Sequence, residues 1–141
     1  MAGLYDLEVS GLAMLQADLK RAGDIPDEVT EGMVNAQAEI VEKAIVYTAG
    51  TMLKGPYWEG DTARSVKKSK PKKGKTGTVS TIKFKGTQHG NRNAEVAFVN
   101  EYGKKSQSAR PFIKTAVMES ADPAANEARK ILDQHLEEHR L

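Results

Sequence analysis

The chain has 141 residues, a length that suits a single domain. Its 39% hydrophobic and 28% charged residues predict a folded chain rather than a disordered one, and aromatics at 6% predict an aliphatic, alanine-lined core. The absence of cysteine excludes a disulfide scaffold, thiolate metal sites and a cysteine nucleophile. No apolar run reaches the roughly 18 residues a membrane-spanning helix needs, and residues 1–10 lack the basic start of a leader, so a soluble protein with no membrane contact is expected.

The net charge of +2 is unevenly spread. Residues 1–61 carry 4 basic and 11 acidic side chains, residues 62–94 carry 10 basic and none acidic, and residues 95–141 carry 7 basic and 8 acidic. Such asymmetry admits two readings of the middle segment: an anionic partner, or a solvated hairpin tip.

In chain order, Leu4 to Val9 alternates apolar and polar residues and predicts a short strand with one buried face. Leu12, Leu15 and Leu19 predict a short N-terminal helix that ends near Gly23. A long helix over about 27–53 follows, with Asp27 and Glu28 at its positive end and Val29, Met33, Ala36, Ile40, Ala44 and Tyr47 as its apolar stripe. Gly55-Pro56 stops it. At about 1.5 Å per residue this helix is about 40 Å long, more than a compact domain of this size accommodates without a projection, a kink near Gly50 or a second copy.

Arg64 to Lys68 predicts a strand, Pro71 to Gly77 a loop or hairpin tip, and Thr78 to Lys85 a second strand. Gly86 to Asn93 reads as a polar loop, and Ala94 to Val99 as a central apolar strand. Arg110-Pro111-Phe112 opens a helix to about Ser120, and Asp122 caps a further one from Pro123. The whole is an α+β fold: a small antiparallel sheet of roughly three to five strands packed against one long helix, with a short N-terminal helix and C-terminal helices. One domain spans residues 1–141. Its lysines at 67–78 repel one another and bury nothing, which predicts a mobile basic hairpin or loop there.

Three near-motifs carry little chemistry. Ser69 to Thr76 approximates a phosphate-binding P-loop but has Ser where the first Gly belongs and a strand where a helix should follow. His135-Leu136-Glu137-Glu138-His139 matches an inverted zincin pattern, yet only Arg140 and Leu141 follow it, so it reads as a solvated helix end. No nucleophile elbow is present. Neither catalytic residues, a metal site nor a cofactor is expected. Clustered lysine permits non-specific nucleic-acid contact, but Phe84 is the only aromatic between residues 62 and 94, so base stacking has little support.

Two blocks carry a family resemblance. Ala94-Glu95-Val96-Ala97-Phe98-Val99-Asn100-Glu101-Tyr102-Gly103, followed by Ala109-Arg110-Pro111-Phe112-Ile113-Lys114-Thr115-Ala116, resembles the signature of small tail-component proteins of long-tailed bacteriophages and prophages. In that family an apolar strand runs into an acid–aromatic–Gly turn and then into an alanine–x–Pro–Phe helix start. Upstream, Pro56 to Val66 is similar to the family's Gly-containing turn before a strand, here with Gly60 and Ser65, and Val9-Ser10-Gly11-Leu12 fits its opening. Lys104, Glu59 and Thr62 depart from the residues common there.

The resemblance implies a virion protein without enzymatic activity. It implies a tail-completion or tail-terminator protein that forms a homo-oligomeric ring, a hexamer in expectation, at the head–tail junction. There it would meet the tail tube protein and head connector proteins, in a virion assembled in the host cytoplasm. A head-completion adaptor on the portal is the alternative within that class, and a basic DNA-binding accessory protein the alternative outside it. Lys67, Lys68, Lys70, Lys72, Lys73 and Lys75 are the candidate partner-binding residues, with DNA in a ring lumen as a possible second contact. Gly60, Ser65, Glu101, Tyr102, Gly103, Pro111 and Phe112 are expected to shape the fold.

Overall fold

Two long helices of nearly equal length dominate the computed structural model, which describes residues 7–9, 25–55, 58–75 and 77–138. The first, α1, is Asp27–Met52 and follows strand β1, Leu7–Val9. A single turn of helix, α2 at Asp61–Arg64, leads into β2 at Val66–Lys68, β3 at Lys72–Gly74 and β4 at Gly77–Phe84. A two-residue-strand hairpin, β5 at Thr87–Gln88 and β6 at Asn91–Arg92, enters α3 at Asn93–Tyr102. The second long helix, α4, is Phe112–Glu138. The expected short helix over 12–23 lies outside the described residues.

β4 is the centre of a small antiparallel sheet. β1 pairs with it at Leu7↔Ile82, Glu8↔Thr81 and Val9↔Ser80, and β2 pairs with it at Val66↔Phe84, Lys67↔Lys83 and Lys68↔Ile82. β3 continues the pairing at Lys72↔Val79, Lys73↔Thr78 and Gly74↔Gly77. Between Lys68 and Lys72 the chain advances four residues while β4 advances three, so the edge holds one extra residue, a β-bulge. Pro71, which has no N–H to give a ladder, sits in that bulge. Three residues cannot cross β4, so β2 and β3 form one interrupted edge strand, and the sheet is three strands wide. With α1 across one face, the architecture is α+β.

Alternation along β4 buries Thr78, Ser80, Ile82 and Phe84 toward α1 and turns Val79, Thr81 and Lys83 to the other face. The main core joins Ile82, Phe84 and Val66 of the sheet to Val41, Ile45 and Ala49 of α1, Ala97 of α3, and Phe112, Ala116 and Ala124 of α4. The Phe84 and Phe112 rings meet edge to face at 5.9 Å, a favoured aromatic geometry. A second cluster, Met33 with Ala128 and Leu132, lies at the other end of the helix pair. Since Met33 near the start of α1 meets the late part of α4, and Thr48 Oγ1 near the end of α1 donates to the Phe112 carbonyl at 2.9 Å, the two helices run antiparallel.

Four expectations are corrected. Residues 94–99 are helical, not a central strand. Asn93, Ala97, Asn100 and Glu101 are the buried residues of α3, and their spacing of three and four is the helical one. The C-terminal helices are one: α4 passes through Pro123, because Phe112, Ala116, Ser120, Ala124, Ala128 and Leu132, buried at steps of four, carry one contact line across it. The apolar stripe of α1 is rotated from the expected one, for Tyr47 is 68% exposed while Thr30, Gln37 and Thr48 are buried. Finally, the length of α1 is matched within the chain by α4, so it gives no argument for a second copy. Among the described residues no helix is long and apolar enough to cross a membrane.

Candidate functional site

The sheet sorts the six candidate lysines by face. Lys68 points to the helix side: its backbone N–H donates to Glu42 Oε2 at 2.8 Å and its Nζ to Asn35 Oδ1 at 2.6 Å, both on α1. Lys73, opposite buried Thr78, pairs with Asp27 at the start of α1, Nζ to Oδ2 at 2.6 Å. These two lysines link the edge strand to α1. Lys67 and Lys72 alternate to the outer face and are exposed there, with Lys83 beside Lys67. Lys70 is exposed on the bulge and Lys75 at the hairpin turn. Sequence reasoning omitted Lys83 from the set. Its distance of 16 positions from Lys67 hides a neighbour that only the strand register reveals.

Lys67 and Lys83 stand directly opposite one another on β2 and β4. Like charges directly opposed across a sheet repel one another, which puts a demand for nearby anions on this position. Lys67, Lys72 and Lys83 thus gather on the outer face, where β1 sets Glu8 opposite Thr81, while Lys68 and Lys73 are turned into contacts with α1.

The two motif blocks meet elsewhere, around the junction of α3 and α4. Glu101, buried near the end of α3, accepts from the backbone N–H of Ile113 at 2.8 Å and of Lys114 at 2.9 Å. Those N–H groups belong to the first turn of α4, which has no intrahelical acceptors for them, so a carboxylate from a different helix caps α4. Its negative charge also suits the positive end of the helix dipole. Gly103 turns the chain between the two helices at φ 78°, and a Cβ there would meet the Ala109 nitrogen at 2.8 Å and the Gln107 oxygen at 2.9 Å.

Asn100, which sequence reasoning passed over, holds the intervening loop. Its Oδ1 accepts from Arg110 Nη2 at 2.6 Å and from Gln107 Nε2 at 3.0 Å, and its carbonyl accepts from the Arg110 N–H at 2.6 Å. An asparagine inside an otherwise apolar run was the signal available. Pro111 immediately precedes α4, and its carbonyl accepts from the Thr115 N–H and Oγ1. Phe112 is wholly buried. Tyr102 is 70% exposed and its ring lies 4.8 Å from that of Phe98, so it contributes outer surface rather than core.

In the upstream block, Gly60 adopts φ 83°, and a Cβ there would meet the Arg64 guanidinium, which bonds the Glu59 carbonyl and Asp61 Oδ1 at 2.7 Å each. Ser65 Oγ donates to the Thr62 carbonyl at 2.7 Å and the Ser65 carbonyl accepts from Lys85 N–H at 2.8 Å, which ties α2 to the sheet. An open cleft of about 230 Å³ separates the blocks. Trp58, Glu59 and Asp61 line one wall, and Val96, Asn100 and Arg110 the other. Gln88 Nε2 and His89 Nε2 both reach Glu59 Oε2, at 2.6 and 3.1 Å, and close the cleft's rim.

The near-motifs resolve simply where they are described. The P-loop-like run is the bulge and hairpin tip and leads into strand β4, not into a helix. His135 and Glu138 lie on the last turns of α4, and His139 lies outside the described residues. Among the described residues no group of three or more His, Cys, Asp or Glu side chains is placed to hold a metal. Comparison with protein-family models, curated proteins and solved structures finds no match for this chain.

Proposed function

We propose that this chain is a structural virion protein of a tailed bacteriophage: a tail-completion or tail-terminator protein that forms a ring, hexameric in expectation, at the head–tail junction. The observation that supports this reading most is the use of the two resembling blocks. They adjoin at the start of α4, the upstream block with Gly60 lies across one cleft from them, and the characteristic residues of all three act as fold-fixing groups. Glu101 caps a helix, Gly60 and Gly103 take positive φ, and Phe112 anchors α4 in the core. An arrangement of that kind supplies rigid surfaces at fixed angles, which is what an assembly joint requires. In this reading the ring meets the tail tube protein on one side and head connector proteins on the other, and the exposed lysines contact an acidic protein neighbour.

The basic outer face also favours a second reading, a DNA-binding accessory protein, because exposed clustered lysine suffices for non-specific phosphate contact. Native mass spectrometry of the full chain, with a joining assay on heads and tails that lack it, separates the two. A closed ring that restores joining is expected. A chain that stays monomeric at millimolar concentration, in a virion whose tails hold no ring of it, overturns the first reading. Tight, steeply salt-dependent duplex binding without ring formation selects the second.

A further inference from the structure

The single tryptophan of the chain is not spent on the core alone. Trp58 is half-buried: it packs against the main core cluster and also lines the cleft between α2 and α3. A second hollow, of about 290 Å³, adjoins that cleft, because Val96 and Asn100 of α3 line both. Asn91, Val99 and Gln107 line the second hollow as well. Together the two make one groove across α3. A helix with its side chains is about 10 Å wide, which is the length of about three residues of extended chain.

Most charges lining the groove are already matched within the chain. In the cleft, Glu59 holds Gln88 and His89, Asp61 holds Arg64, and Arg110 holds Asn100. In the second hollow Glu95 lies 3.6 Å from Arg92, and among the described residues exposed Lys104 is the lining charge without such a match. The groups with capacity left over are mainly neutral acceptors and N–H donors. Gln88 and Gln107 each spend Nε2 on a neighbour and keep Oε1 as an acceptor. The Arg110 guanidinium has N–H groups beyond the one given to Asn100, and the Trp58 indole brings a donor beside its apolar face.

Donors and acceptors set around an aromatic platform match a peptide in extended form, which shows one N–H and one C=O per residue with side chains between them. A nucleic acid fits less well, because Glu59, Asp61 and Glu95 would meet its phosphates. Two of those carboxylates share the cleft with Trp58, so the side chain seated there is apolar rather than acidic. The rim is built to yield. The β5–β6 hairpin buries no residue, turns at Gly86 with φ 87°, and reaches across to exposed Glu59 through Gln88 and His89.

We infer that this groove binds an extended peptide segment of another protein, with an apolar side chain on Trp58 and its main chain bonded by Gln88, Gln107 and Arg110. The inference goes beyond the ring reading and is independent of it, since it requires a peptide and not a second copy of the chain.

Trp58, as the sole tryptophan, reports occupancy. Arrayed heptapeptides of varied sequence, blocked at both ends and fixed at the centre as Pro, Leu, Phe or Asp, are screened against the full-length protein. The strongest of each set is then titrated in solution, by Trp58 emission and by anisotropy of a labelled peptide. Peptides with central Pro, Leu or Phe are expected to bind and to shift the emission to the blue, and those with central Asp are not. Trp58→Ala removes the platform, and Val96→Arg sets a long side chain on the ridge that both hollows share. Each is expected to weaken binding at least about tenfold, with circular dichroism as the check of folding. Val96 is half-buried, so its variant keeps the test open if Trp58→Ala fails to fold. Absence of binding by every peptide overturns the inference, as does binding that both variants leave unchanged or that the Asp set equals. Maltotriose or an oligo-dT strand that moves Trp58 emission where the peptides do not gives the groove to a saccharide or a nucleic acid, and overturns it too. If the chain binds the peptides as expected yet forms no ring, the inference stands and the ring reading falls.

Discussion

At Gly103 the backbone leaves no room for a side chain. Its φ of 78° with ψ of 178° lies where only glycine is at ease, and the Ala109 nitrogen and Gln107 oxygen occupy the space of a Cβ. Two residues back, Glu101 gives both carboxylate oxygens to the start of α4. The two residues act on one junction by different means: glycine sets the direction of the chain and glutamate satisfies the helix that results. Gly103→Ala is expected to destabilise the protein by at least about 2 kcal/mol through strain and backbone overlap. Glu101→Ala is expected to remove about 1–2 kcal/mol through two buried N–H groups left without acceptors. Because each change displaces the same helix start, the double variant should lose less than the two single losses together. Urea midpoints of the four proteins measure this, and strict additivity would show that the cap and the turn are independent.

Among the elements, α4 carries a residue that works against it. Pro123 has no N–H for the Glu119 carbonyl and its ring crowds that carbonyl, yet it is exposed and adds nothing to the buried line at 112, 116, 120, 124, 128 and 132. Pro123→Ala is therefore expected to raise stability by about 1–3 kcal/mol, seen as a higher Tm, and an unchanged or lower Tm would mean the helix needs the break. The same proline explains why the sequence suggested two helices. Proline and a preceding aspartate form a legitimate stop and cap, and only the contact line against α1 overrides them. The strands at 66–68 and 77–84 and the long helix were legible, because their period or their glycine boundaries are local signals. Helix α3 was misread because a short apolar run fits a strand or a helix, although Gly103 just beyond it is a common helix terminator. The buried face of α1 was misplaced because Thr30, Gln37 and Thr48 dilute it, and Thr48 earns its place through a bond to Phe112 that no local pattern announces. Among the candidate lysines, the division into inner and outer faces depends on a one-residue bulge. A slip of that size reverses every side chain after it, so the division could not be read from spacing.

Over the whole molecule, stability and charge are distributed in opposite senses. The antiparallel helix pair holds both core clusters along its length, with Ile45, Ala49, Phe112 and Ala116 toward one end and Met33, Ala128 and Leu132 toward the other. The basic surface instead rides on β2 to β6, where β3 is exposed at every position and the β5–β6 hairpin buries no residue. Local opening takes least free energy where few apolar contacts are lost, so amide exchange should follow this division. The slowest amides are expected in residues 33–49 of α1 and 116–132 of α4, with Ile82 and Phe84 of β4 close behind. The amides of Lys70, of residues 72–75 and of Gly77 should exchange fastest among the described sheet residues, since mutual lysine repulsion adds to their lack of burial. Low NMR order parameters should accompany that exchange in the isolated chain. An anionic neighbour on the hairpin would lessen the repulsion among Lys70, Lys72 and Lys75 and slow the exchange of their amides, leaving the helix pair unchanged. Protection of residues 70–75 equal to that of Ile82 in the free protein would show instead that the hairpin is rigid before any partner arrives, and that docking meets a finished surface.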